Sequence, residues 1–248
     1  MLTRCLQTKL SNVTSLTTAE TSALEDTIVS VKDFRAGFDI IAEGSRPDVV
    51  HLMLDGWAAR RKMLENGVNQ FTAFLIPGDF CDIHINVLAK MDHHITSLTP
   101  CRMAMIDGEK LDRLTAQNSN LSRALWWSTL VDEAILRQWI VNNGQRKAFA
   151  ATAHILCEMH VRLQMVGLPG DAKRFAFPLT QEHLAAATGL SPVHTNRVLQ
   201  QLRKDGLIEL RGKKLKILDM NRLREAAGFE IEYFHLQTRT KAGQEIEL

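Results

Sequence analysis

The sequence predicts an α+β chain: an antiparallel barrel or jelly roll, then a long helix, then a C-terminal winged helix-turn-helix. Three observations predict it. Over residues 31–107, short β-prone runs alternate with Gly, Pro, Asp and Asn. From about residue 109 to 144 the apolar spacing becomes helical. Residues 179–218, LTQEHLAAATGLSPVHTNRVLQQLRKDGLIELRGKKLKIL, set two short apolar-periodic runs on either side of a glycine, then a basic run and a Gly-centred turn.

With 248 residues, 45% of them hydrophobic, the chain has the composition of a globular protein of two domains. A net charge of +2 does not by itself call for a polyanionic partner, so charge matters only where it is segregated. Cys5, Cys81, Cys101 and Cys157 form neither a CxxC pair nor a metal-finger spacing, which favours a reducing compartment over a disulfide framework. The N-terminus lacks the continuous apolar run of a signal peptide, and no run is long enough to span a bilayer. The expected location is the cytoplasm.

The elements follow in order. Thr17 opens a Thr-x-x-Glu capping box, which predicts a short helix to about Ile28. The β-prone runs include DIIA, VVHLML, WAARRKML and QFTAFLI. Turn signals stand at Gly37, Gly44, Pro47, Gly56, Asn66-Gly67 and Pro77-Gly78. In the long helix, Leu121, Leu125, Ser128, Asp132, Ile135 and Trp139 make one stripe, and Trp127, Leu130, Ala134 and Val141 a second flank. A helix apolar on two flanks buries both: either wholly inside one chain, or with one flank on the barrel and the other on a second copy of itself. A further helix runs to Gly167, and LPGDAKRFAFP reads as a loop. The expected partition is a first domain over 1–115, the long helix over 116–144, and the winged helix-turn-helix domain over 145–248.

In the C-terminal unit, Thr180 caps a first helix, Ala185 is small where two helices cross, and Gly189 supplies a positive φ at the turn. Pro192 suits the first turn of the second helix. There Thr195, Val198, Leu199 and Leu202 form the inward stripe, while Val193, Arg197, Gln200, Gln201 and Lys204 point outward. The run LIELRGKKLKIL reads as a hairpin, a wing, turning near Arg211-Gly212-Lys213. From 197 to 216 the bases are Arg197, Arg203, Lys204, Arg211, Lys213, Lys214 and Lys216, against only Asp205 and Glu209. Such segregation on an outward helix and wing points to duplex DNA. Arg197 has the reach to grip a guanine bidentately, and Val193 to touch a thymine methyl. Thr180, Gln181 and Ser191 sit near helix N-termini, where phosphate is favoured. His194, Asn196 and Gln200 fall on or beside the outward face, and Lys213 at the wing tip meets phosphate.

Taken together, these motifs resemble the Crp/Fnr family of bacterial transcription regulators over nearly the whole chain. FRAGFDIIAEGSRPDVVHLMLDGWAARRKMLENGVNQFTAFLIPGDF repeats the glycine punctuation of that family's cyclic-nucleotide-binding β-roll, and LTQEHLAAATGLSPVHTNRVLQQLRKDGLI matches its winged helix-turn-helix. The resemblance implies a double-stranded β-helix (jelly-roll) sensor domain, a long dimerisation helix and a homodimer on a near-palindromic site, with RNA polymerase and a small-molecule effector as further partners. Arg197 falls on the family's base-reading arginine. Val193 stands where a Glu is usual and Pro192 where a second Arg is usual, so the operator does not carry over.

Cyclic AMP binders of the family carry Gly-Glu after GDF and, a strand later, Arg-Ser. Here Asp82-Ile83 and His93-His94 stand there, which implies no cyclic AMP response, since an Asp facing a phosphate repels it. Only Cys5 lies in the N-terminal region where the Fnr-type iron–sulfur cluster needs several cysteines, so no such cluster is expected. Cys81, His84, His93, His94 and Cys101 gather in one region and are the candidates for a metal, haem or redox ligand, though their spacing fits no known site. A cupin-like metal enzyme needs a His-x-His pair with a nearby Glu, which this sequence lacks, so no catalytic residue and no enzyme are expected. A DNA binder with little sequence choice is the other alternative.

Overall fold

The chain opens with two short helices, α1 (Arg4–Leu10) and α2 (Thr18–Glu25), in the computed structural model, which describes residues 2–84, 87–168 and 174–236. α2 begins at the capping box the sequence predicts: Glu20 N–H donates to Thr17 Oγ1 at 3.2 Å, and Thr17 N–H to the Glu20 carboxylate at 2.7 Å. It stops before Ile28, because Ile28 already pairs with Ile106 in a strand. α1 has no sequence signature. It is seven residues long and lacks a side-chain cap, and burial of Leu6 and Leu10 stabilises it where propensity does not.

Among the described residues seven strands follow: β1 (Ile28–Phe34), β2 (Asp39–Ile41), β3 (Val50–Asp55), β4 (Ala58–Met63), β5 (Asn69–Leu75), β6 (His94–Ser97) and β7 (Cys101–Ile106). Every pairing is antiparallel, in two sheets of order β1-β7-β3 and β2-β6-β4-β5, the jelly-roll arrangement. Ile41, Met53, Leu75, Ile95, Met103 and Met105 come from both sheets and share one core. Gly56, between β3 and β4, has φ +87°, and a Cβ there would lie 2.2 Å from the Pro100 carbonyl oxygen, so both backbone and space require glycine.

The helical stretch after β7 is two helices, α3 (Gly108–Gln117) and α4 (Ser119–Gly144). Asn118 divides them: its extended backbone ends α3, and its side chain accepts the Leu121 N–H to cap α4. On α4 the stripe Leu121, Leu125, Ser128, Ile135 and Trp139 is buried and Asp132 half-buried. The second flank divides. Trp127 and Ala134 are buried, whereas Leu130 and Val141 are exposed and continue into Trp126 and Ile140, 59% and 65% exposed.

α5 (Ala148–Met165) is buried almost all round. Then come β8 (Arg174–Ala176), α6 (Gln181–Thr188), α7 (Pro192–Lys204), β9 (Ile208–Arg211), β10 (Lys214–Ile217), α8 (Met220–Ala227) and a 3-10 turn at Glu232–Phe234. β8 corrects the reading of 168–178 as loop: it pairs with β10 in a sheet of order β8-β10-β9, burying Phe175. Three residues beside Pro and Gly are too few for alternation to register, and 169–173 of that reading lie outside the described residues. The C-terminal unit packs directly on the β-roll. Trp57 meets Phe177 edge-on at 6.0 Å, and Phe71, Phe74, Leu184 and Ala187 join the same apolar cluster as α5.

Candidate nucleic-acid interface

The geometry of the C-terminal unit comes from its caps and its inward stripe. His183 N–H donates to Thr180 Oγ1 at 3.1 Å, and Thr180 N–H donates to His183 Nδ1 at 3.3 Å. Histidine thus completes the capping box where Glu is usual. Accepting at Nδ1 is open only to the neutral ring, and burial, the main cause, holds the His183 pKa below its ordinary value in the same sense. α6 ends at Gly189 with φ +65°, where the sequence placed the turn. Ser191 Oγ accepts the His194 N–H at 3.2 Å and Pro192 takes the first position of α7.

Thr195, Val198, Leu199 and Leu202 are all buried, and Ala185 is buried beneath them on α6. With that side sunk, the opposite side of α7 faces water. Val193, His194, Arg197 and Gln200 are exposed, as are Thr180, Gln181 and Ser191 at the two helix N-termini. Asn196 is half-buried, and its Oδ1 accepts from Gln181 Nε2 at 3.1 Å, a tie between α6 and α7 that no local pattern announces. In the wing, Gly212 and Lys213 take φ +58° and +60°, the pair of left-handed residues a two-residue hairpin turn needs, and this lifts Lys213 to the exposed tip. Arg197, Arg203, Lys204, Arg211, Lys213 and Lys214 are exposed, whereas Asp205 accepts from Gln201 Nε2 at 2.7 Å. With Glu209 the one exposed acid between residues 197 and 216, the surface is cationic on balance, the sign a phosphate backbone selects.

A second concavity, about 540 Å³, lies between the β-roll and α4, with Arg60, Phe80, His84, Met91, Thr129 and Asp132 on its walls. Arg60 is already engaged: it donates to the Phe80 carbonyl at 3.0 Å and pairs with Asp132 at 3.4 Å. Asp82 also lines this cleft; its carboxylate accepts the His51 backbone N–H at 2.7 Å and meets the ring Nδ1 at 2.8 Å. Of the ligand candidates, Cys81 is buried in the β-roll core, where burial pushes its thiol pKa well up. His84 bonds Thr129 Oγ1 at 3.1 Å, His93 pairs with Asp92, and His94 lies 3.6 Å from Asp39. Among the described residues no three His, Cys, Asp or Glu side chains converge as metal ligands.

Between this cleft and α5 runs a buried ionic chain. Arg162 Nη2 donates to Asp79 Oδ2 at 2.6 Å and Nη1 to Glu158 Oε1 at 3.2 Å, while Trp139 Nε1 donates to Glu158 Oε2 at 2.8 Å. Lys9 Nζ donates to Asp79 Oδ1 at 2.8 Å and stands 3.9 Å from Asp132. Burial alone would raise the Asp79 pKa, but the two cations beside it prevail and hold it at about 2. For Glu158 burial prevails, and its pKa is raised.

Residues 31–118 match the family model of the cyclic nucleotide-binding domain, and residues 151–226 that of the Crp-like helix-turn-helix domain. Among curated proteins, the transcriptional activator protein FnrL of Cereibacter sphaeroides is 26% identical over 213 residues, 85% of each chain. The nitrogen fixation regulation protein FixK of Bradyrhizobium diazoefficiens is 23% identical over 195 residues, 78% of this chain and 80% of that one. Among solved structures, FixK2 of Bradyrhizobium japonicum superposes with a TM-score of 0.70 at 20% identity, covering 79% of this chain and 96% of that one, a likeness of fold. No described helix is long and apolar enough to cross a membrane.

Proposed function

Since the chain belongs to the Crp/Fnr family and is a DNA-binding transcription regulator of that type, we propose that two copies bind a near-palindromic site together, one α7 in each of two successive major grooves. The observation that carries this reading is α7 itself, sunk along one stripe and bare and cationic along the other. Arg197 takes a guanine edge and Val193 a thymine methyl. Thr180, Gln181, Ser191 and Lys213 hold phosphates, and His194, Asn196 and Gln200 border the groove. Half-sites then lie about 34 Å apart. Selection of bound duplexes from a random pool tests it. An inverted repeat with that spacing supports the reading, and equal recovery of all sequences replaces it with a DNA binder of little sequence choice.

The exposed Trp126, Leu130, Ile140 and Val141 on α4, with the Glu133–Arg137 pair between them, support pairing of two copies along this helix, since large apolar side chains grouped on one helix face favour cover. Leu130→Glu with Ile140→Glu is expected to yield a folded monomer by sedimentation equilibrium, with affinity for the full site reduced at least about a hundredfold by loss of the second half-site. At the wing, Lys213→Gly keeps the left-handed turn and removes one cation. It is expected to weaken all duplexes alike and lower the slope of log K against log salt by about 1. RNA polymerase and a small-molecule effector in the cleft complete the proposed set of partners.

A further inference from the structure

We propose that α1 and the turn after it act as a strap that ties the DNA-binding unit to the β-roll, and that releasing the strap frees α5, and α7 with it, to move. The regulatory half of this proposal rests on the DNA-binding role of α7; the mechanical half does not.

The strap is fastened on both sides. Toward the β-roll, Leu6 and Leu10 are buried with Val50, Leu52, Phe80 and Ala104. Toward the DNA-binding unit, Asn12 Nδ2 donates to the carbonyl of Met165, the last residue of α5, at 3.0 Å. Two residues further on, Gly167 lies against Thr8 so closely that a Cβ there would stand 3.1 Å from the threonine methyl.

Between these fastenings Lys9 joins both sides at once. It shares Asp79 with Arg162, so one carboxylate of the β-roll is held by a cation from the strap and a cation from α5. Withdrawing Lys9 leaves the buried Asp79 with Arg162 as its one remaining cation partner among the described residues, a state that burial disfavours. The α5 side of the junction therefore depends on α1 being in place.

The strap is also the element best placed to open first. A seven-residue helix without a side-chain cap is marginal by itself, and local opening starts where intrinsic stability is low. Its one buried cation lies one residue from the cleft. Asp132 stands 3.9 Å from Lys9 and 3.4 Å from Arg60, and both Arg60 and Asp132 line the cleft. A ligand group that draws Arg60 away leaves Asp132 to compete with Asp79 for Lys9. Cleft occupancy thereby bears on the strap through a single carboxylate.

The test is amide hydrogen exchange on full-length Asn12→Ala and Lys9→Met, beside titration of each against the selected duplex. Asn12→Ala removes one fastening and no buried charge, so it keeps the test sound if Lys9→Met folds poorly. Expected are about tenfold faster exchange over residues 162–168 with β4 and β6, which the strap does not touch, unchanged, and a change of about threefold or more in DNA affinity. Unchanged exchange in α5, or an equal rise in β4, β6 and α5, overturns the strap. A rise confined to α5 with unaltered affinity overturns its regulatory role. Wild-type protein that binds no duplex at all refutes the DNA-binding reading instead, and the exchange result still decides whether α1 is a strap.

Discussion

Arg197→Ala is expected to weaken binding to the selected duplex by about 5- to 150-fold, or ~1–3 kcal/mol, and to erase the preference at one base pair of each half-site. The structure makes this a clean experiment. Arg197 is exposed on α7, and among the described residues no side chain pairs with its guanidinium. Its removal costs the fold nothing that a buried group would, so thermal stability should move by no more than about 0.5 kcal/mol. The inward stripe of Thr195, Val198, Leu199 and Leu202 holds α7 in place regardless. Fluorescence titration of wild type and variant against duplexes substituted at each position, at one fixed salt concentration, reads both effects. A variant that lost affinity equally for every duplex would make Arg197 a phosphate contact, and a preference left untouched would put α7 in a different register.

Asp79→Ala carries the largest expected loss of stability, about 3–5 kcal/mol, because it leaves Lys9 and Arg162 buried without the carboxylate they share and orphans the Ile76 N–H that bonds the same group. That is a large part of the ~5–15 kcal/mol that keeps a domain folded. The same group sets an acid limb. Its folded pKa, about 2, lies below the ordinary 3.8. It therefore contributes stability that is fully present above about pH 4 and is lost as pH falls toward 2. Glu158 works in the opposite sense: with its pKa raised by burial, acid relieves rather than imposes a cost. Urea unfolding at pH 7 and pH 3 should show wild type losing stability on acidification and Asp79→Asn losing less. Equal losses would mean that other carboxylates govern the acid limb.

The parts of this molecule visible in its sequence are those whose reasons are local. The α7 stripe, the Gly189 turn, the Thr17 and Thr180 caps and the wing turn at Gly212-Lys213 each follow from residues within a few positions of one another. The parts that were not visible join distant positions. Asp82 meets His51 across 31 residues, and Arg162 meets Asp79 across 83. Neither α1 nor β8 is long enough to set up a periodicity, and each exists because something remote covers it. Asn118 lay inside a stretch whose apolar spacing carried on across it, so the division into α3 and α4 became clear only from its backbone.

Trp57 and Phe177 rest edge to face within one apolar mass that takes in β5, α4, α5 and α6. Such close-packed aromatic contacts do not stretch; they hold in one arrangement or give way to another. Any shift of one half against the other across these interlocked rings is therefore a jump between positions and not a graded slide.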